Sequence, residues 1–391
     1  VTYPSKDVAD VVIVGGGPAG LYSGLQLARS GFSVDLFEEH GDIGEPVHCT
    51  GVLARDAFET FRVPDDAVLN DLKTVRFYAP SGQSVEHSTA SVEAVVIDRI
   101  QFDRRLAEDA VRAGVRIHRA RVTAMAVNRV GVSLTAGSAT ARARVAVLAC
   151  GANYALQRRL GLGLPRMMLQ SAQAELPATR LGPVEVHFGA DVAPGGFAWA
   201  VPVQRSDRTC VRVGVMCDGD AGRHFQRTLD RIAPRWGIRV SEGCAPRQKV
   251  LPLAPIKRTY SDRVLVLGDA AGLVKPTTGG GIYYSLLSGQ LAAATLETTL
   301  ARDRLDAESL SQYETAWRRR LGSELRWQLI LRRIAQRLSD ADIDRLFELA
   351  RTDGIMPLVR RTATFNRHRE FIVALLKHPP ARRVLFRAAL A

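Results

Sequence analysis

The most constraining stretch lies near the start of the chain, residues 10–39, DVVIVGGGPAGLYSGLQLARSGFSVDLFEE. An apolar run (Val11, Val12, Ile13, Val14) stops at Gly15, Gly17 and Gly20, and a helical pattern (Leu21, Leu25, Leu27) follows. After a turn at Gly31, a second apolar run (Val34, Leu36, Phe37) ends in Glu38. Strand, glycine turn, helix, strand and acid in that order predict a βαβ unit that binds a dinucleotide. Gly15 makes the tight turn, Gly17 lets the backbone approach a pyrophosphate, and Gly20 lets helix and strand pack closely. The phosphates then face the free N–H groups and positive end of the helix. Glu38 is placed to accept from an adenosine ribose. The motif alone does not choose between FAD and NAD(P).

A chain of 391 residues can bury two domains or one large composite. With 46% hydrophobic and 24% charged residues it is globular rather than disordered. The net charge of +13 suits an anionic partner such as a nucleotide or phospholipid surface. Nucleic acid is not expected, since aromatics are only 6% and no binding module is evident. Five scattered cysteines without CxxC spacing (Cys49, Cys150, Cys210, Cys217, Cys244) predict no disulfide framework and no metal site. A polar start, no leader pattern and no apolar run of membrane length predict a cytoplasmic protein.

Residues 41–54, GDIGEPVHCTGVLA, form a polar, glycine-flanked loop directly after the strand that carries Glu38. This loop should pass beside the cofactor, which makes Cys49 a candidate. Phe102, Leu106, Ala110 and Val111 predict a helix ending at Gly114, with Arg99 just before it, where a cation could meet a phosphate. Residues 155–256 alternate in strand fashion apart from a helix around Phe225 and Trp236. Within them, PGGFAWAVPV puts Phe197, Trp199 and Val201 on one strand face, fit for core or for an apolar pocket. Further on, a strand ends in Gly268-Asp269, and Gly279-Gly280-Gly281 opens a small-residue helix. Backbone can approach a planar ligand closely there, and the helix start favours negative charge. From about Asp303 the chain is helical and basic. Trp327, Ile330, Leu331, Ile334 and Leu338 predict a core-facing stripe, with Arg332, Arg333 and Arg337 on a wet face. The sharper reading of this helix is a membrane-surface element.

Four blocks, VVIVGGGPAGLYSGLQLARSGFSVDLFEE, GEPVHCTGV, PGGFAWAVPV and GDAAGLVKPTTGGGIYYSLLSG, together resemble the geranylgeranyl reductases. That family belongs to the flavoproteins with the para-hydroxybenzoate hydroxylase fold. The third block ends in Val-Pro-Val where the family more usually has Phe-Pro-Lys. The resemblance implies an α/β composite. Its FAD-binding Rossmann-type domain would take residues 1–60, 95–155 and 258–302. A mostly antiparallel substrate domain would take 61–94 and 156–257, and a helical region 303–391. It implies FAD held by Gly15, Gly17, Gly20, Glu38, Arg99 and the backbone near Val122, with Asp269 at the ribityl–pyrophosphate region. Gly281 and Ile282 would lie at the pyrimidine edge, and Cys49, Thr50 and Gly51 on the other side. An isoprenoid would lie against Phe197 and Trp199, and its C=C bonds would be saturated from reduced flavin. Cys49 is the expected proton donor, with Tyr283 and Tyr284 behind it. The external reductant would be NADPH, ferredoxin or another electron-donor protein, with peripheral membrane contact allowed. Two alternatives stand beside this reading. One is a halogenase or monooxygenase of the same fold, for which Lys73 would be the tunnel lysine. The other is a non-catalytic prenyl-binding escort protein.

Overall fold

The computed structural model describes residues 8–239, 245–352 and 354–390; Cys244 lies outside them. The glycine-turn strand Ala9–Val14 is buried on both faces, as an all-apolar run in a parallel sheet must be. It pairs in parallel with Val34–Glu38 on one side and Ala139–Leu148 on the other. Arg116–Arg119 and Val264–Val266 extend the parallel layer outward. The hairpin Val122–Val127 and Val132–Ala136 pairs antiparallel with the long Ala139–Leu148 strand.

Helix Pro18–Arg29 begins with proline at its first position, where the missing N–H costs no hydrogen bond. It packs between Arg99–Arg112 and the 20-residue helix Ile282–Ala301. The close approach to the latter has a definite cause. A Cβ on Gly289 would lie 2.9 Å from the Ala19 carbonyl oxygen, so the crossing requires glycine. Ile282–Ala301 is buried nearly all round, which fits its apolar, small-residue composition. Helix Arg99–Arg112 is capped by Asp98, whose side chain accepts from the N–H groups of Ile100 and Gln101. Phe102, Leu106 and Ala110 are buried as expected, whereas Val111 is exposed.

A seven-stranded sheet forms the second layer, antiparallel except where Val184–His187 runs parallel to Thr74–Tyr78. Its long central strands are Met168–Pro177, Phe197–Gln204 and Thr209–Cys217. Helix Ala221–Trp236 covers one face with Phe225, Leu229, Ile232 and Trp236. That helix starts a turn earlier than the apolar pattern because Asp220 caps the Arg223 N–H. On the same covered face Glu185 and His187 are buried 2.9 Å apart, and the more exposed Arg235 reaches Glu185 at 2.7 Å. Val52–Ala54, Val68–Leu72 and Ala94–Ile97 make a small third sheet between the two layers' strands.

The 29-residue helix Ala307–Ala335 and four shorter helices complete the chain. Here the expected stripe is corrected. The long helix buries Leu310, Tyr313, Trp317, Leu321, Leu325, Gln328 and Arg332, and Arg332 is only 4% exposed. Ile334 and Leu338 instead pack against a satellite core around Ile355, Leu375 and Leu385. Of the three arginines placed on the wet face, only Arg333 and Arg337 are exposed. Among the described residues no helix is long and apolar enough to cross a membrane.

Candidate active site

One cavity of about 1360 Å³ lies between the parallel sheet, the seven-stranded sheet and the C-terminal helices. Gly15, Gly17, Glu38, Cys49, Thr50, Gly51, Arg99 and Val122 line it together with Phe197, Trp199, Asp269, Gly281, Ile282 and Tyr283. Residues far apart in sequence thus meet around one cavity. Gly20 does not line it, because it sits beneath the turn, where an added Cβ would come within 2.0 Å of the Gly15 oxygen. Gly15 itself has φ +112, the left-handed half of backbone space that favours glycine.

At the head of helix Pro18–Arg29, a Cβ on Gly17 would meet nothing within 4 Å. Open space therefore stands directly before a helix N-terminus, as a pyrophosphate requires. Glu38 is held at the wall by the Gly16 N–H (2.6 Å) and by His40, whose Nδ1 lies 2.5 Å from its Oε1. Asp269 falls in a short turn after the Val264–Val266 strand and lies 3.3 Å from Lys249 Nζ. A Cβ on Gly281 would stand 2.8 Å from Asp269 Oδ1, so the glycine run and the aspartate are packed as one unit. These features fit FAD. Gly15, Gly17 and Glu38 would hold its ADP half, and Asp269 with the start of Ile282–Ala301 its flavin half.

Arg99 is the first residue of its helix rather than a residue before it, and its Nη2 lies 2.7 Å from Asp103 Oδ2. Burial acts to lower its pKa, but the neighbouring Asp103 carboxylate outweighs that and holds the guanidinium protonated. Cys49 Sγ accepts from the Gly51 N–H at 3.3 Å. Thr50 Oγ1 donates to Gln173, 3.0 Å away on the seven-stranded sheet. Tyr283 lies half-buried on the cavity wall with its ring edge-on to Phe61; Tyr284 is buried behind it with its hydroxyl 3.4 Å from Gln328. Burial pushes both phenols up. Lys73 lies exposed between two strands, off the cavity wall.

Several residues that shape the cavity carried no sequence signal. Arg212 is 4% exposed and donates to the carbonyls of Thr50 (2.6 Å) and Ile97 (3.0 Å), fixing the cysteine loop. Lys275, beneath the glycine run, donates to the Phe365 carbonyl at 2.8 Å, and burial pushes its ammonium down to about 7. Thr277 bonds Gln328 (3.0 Å) and His368 (2.7 Å). Burial, and next the Lys275 charge, push His368 down to about 4, so its imidazole is neutral at physiological pH. The C-terminal segment is thereby tied to the glycine run. Arginine and lysine are common surface residues, and only their partners, about 90 to 160 positions away, mark these as different.

A family model described as lycopene cyclase protein matches residues 10–352. A digeranylgeranylglycerophospholipid reductase of Methanoculleus marisnigri is 31% identical over 362 residues, covering 88% of this chain and 90% of that protein. The chain belongs to the family of that model and to the geranylgeranyl reductases. It is an FAD-dependent oxidoreductase, and the escort reading is set aside. Among solved structures, a geranylgeranyl bacteriochlorophyll reductase-like protein of Thermoplasma acidophilum superposes with a TM-score of 0.84 at 19% identity, covering 98% of this chain and 99% of that one. The flavin-dependent brominase Bmp2 superposes at 0.72 with 17% identity, covering 98% of each chain. At these identities the reductase shares their fold, and its chemistry rests on its own residues.

Proposed function

We propose that this protein saturates C=C bonds of an isoprenoid chain carried on a lipid or a prenyl diphosphate. One observation carries the reading. The glycine turn and the Gly279–Gly281 run share a single chamber with an aromatic and aliphatic wall that includes Phe188, Phe197, Trp199, Leu251 and Phe347. A long apolar substrate can therefore lie against the same cavity that holds the cofactor. The Methanoculleus marisnigri relative is by its name a reductase of digeranylgeranylglycerophospholipid, whose chains are of the kind such a wall accepts.

Bound and reduced, FAD supplies the hydride. The chain's residues do the rest. Backbone N–H groups at the start of Ile282–Ala301 stabilise negative charge, as a helix N-terminus does in a site shielded from water. An isolated alkene offers no carbonyl to polarise, so positioning by the apolar wall and exclusion of water carry much of the rate. Cys49 gives the proton to the second alkene carbon, and Arg212 holds its loop against the seven-stranded sheet. Tyr283, which lines the same cavity, is the second candidate. The test is turnover of geranylgeranyl diphosphate by anaerobically reduced protein, read by mass spectrometry. A ladder of products, each heavier by one hydrogen molecule, supports the reading; an unchanged substrate mass sinks it.

A further inference from the structure

We infer that Arg332 is the anchor for the acidic end of the substrate, a phosphate or diphosphate on the isoprenoid. The inference deepens the reductase reading, and its binding test stands apart from turnover. Arg332 lines the cavity from the long helix Ala307–Ala335 and is 96% buried, yet its Nε and Nη2 have no hydrogen-bond partner. A buried guanidinium without a counter-ion is costly, so natural chains pair such groups or supply them with a ligand.

The nearest candidate partner is already engaged. Asp218 attracts Arg332, but its carboxylate is exposed and accepts from Gln336 Nε2 at 3.2 Å. Burial lowers the Arg332 pKa only to about 10, so the group is a cation at neutral pH. The phosphates of FAD do not account for it. They belong at the Gly17 helix start, whereas Arg332 sits one helical turn beyond Gln328, the residue bonded to Thr277 beside the glycine run. The other lysines and arginines that line the cavity are engaged: Lys275 donates to Phe365, Arg99 to Asp103, Arg159 to the Thr123 carbonyl, and Lys249 and Arg121 pair with Asp269 and Glu39. What remains is a planar, forked, permanently charged donor at the side of an apolar chamber. That shape matches two oxygens of a phosphate.

The test compares geranylgeranyl diphosphate with geranylgeraniol, binding each to FAD-loaded wild type, Arg332→Gln and Arg332→Lys by calorimetry. Charged hydrogen bonds of this kind are worth about tenfold or more in affinity. Arg332→Gln should lose at least that for the diphosphate, change the alcohol by less than about twofold, and leave flavin content intact. Arg332→Lys should recover part of the loss. Melting of the substrate-free protein separates a structural role. Removal of an unpaired buried charge should hold or raise the midpoint, whereas loss of a structural arginine would lower it. Micelles of a digeranylgeranylglyceryl phosphate distinguish the source. A loss with both ligands assigns a general phosphate site, and a loss confined to the lipid assigns its headgroup. Equal weakening of diphosphate and alcohol, or no weakening with either phosphate ligand, overturns the inference. Discrimination without alkene reduction would retire the reductase reading and leave the anchor standing.

Discussion

Gly17 and Gly20 lie one helical turn apart, and their alanine variants should fail in opposite ways. Gly17 has φ −87 and ψ −177, a conformation any residue adopts, and open space where a Cβ would go. Alanine there gains about 0.4–1 kcal/mol from a stiffer unfolded chain, offset by the poorer N-cap. The cofactor-free melting point should therefore move by less than about 2 °C. The methyl group occupies the space a pyrophosphate needs, so FAD affinity should fall at least about tenfold, near 1.4 kcal/mol. At Gly20 the added Cβ would lie 2.0 Å from the Gly15 oxygen, more than an ångström inside ordinary contact, and that oxygen belongs to backbone. Overpacking of this kind costs about 1–3 kcal/mol or more, so Gly20→Ala should melt several degrees lower with or without FAD. The assay is thermal melting of stripped protein beside fluorescence titration with FAD. Wild-type FAD affinity in Gly17→Ala would refute the placement of the pyrophosphate.

Three further outcomes are expected. Cys49→Ala should keep the bound-flavin spectrum and slow alkene reduction by about a hundredfold, the lower range for a general acid; full activity would move the proton to Tyr283, which Tyr283→Phe would then reveal. Arg212→Met should leave Glu175 to Arg205 and free the Thr50 carbonyl, lowering the melting point and, in rapid-quench assays, the rate of the reductive step together. Burial raises the Glu185 carboxyl, but hydrogen bonds from His187 and Arg235 and the charge of Arg235 outweigh it and bring the pKa to about 2. A depressed carboxyl stabilises the fold above its ordinary pKa, with the contribution, on the order of 3 kcal/mol, lost as pH falls toward 2. Urea melts of wild type and Glu185→Gln should therefore differ at pH 7 and converge near pH 2.

Local signals were the legible ones. The strand–glycine–helix unit and the Gly279–Gly281 run were readable because their glycines are close together in sequence and flanked by regular elements, as where Gly20 packs on the Gly15 oxygen. Alternation in PGGFAWAVPV placed Phe197 and Trp199 on one face, and both stand on the cavity wall. Arg212, Lys275 and Arg332 were illegible, since their partners or surroundings come from distant segments. The long C-terminal helix shows why. Hydropathy favoured the Trp327, Ile330 and Ile334 side, yet the stripe running from Leu310 through Trp317 and Leu325 continues into Gln328 and Arg332. Polar residues at buried positions break the apolar period where a helix turns toward a cavity. The exposure of Val111 has the simpler cause that its neighbour Ala110 already occupies the buried face.

The deciding measurement is anaerobic reoxidation of the reduced flavin. Reduced protein is mixed with a prenyl substrate without dioxygen, and the oxidised flavin absorbance is followed as product mass is read from the same sample. Reoxidation that depends on the prenyl compound, with one hydrogen molecule gained per flavin oxidised, is the result expected of a C=C reductase. A flavin that stays reduced until dioxygen is admitted, and then reoxidises faster with an aromatic compound, would contradict it and assign an oxygenase or halogenase.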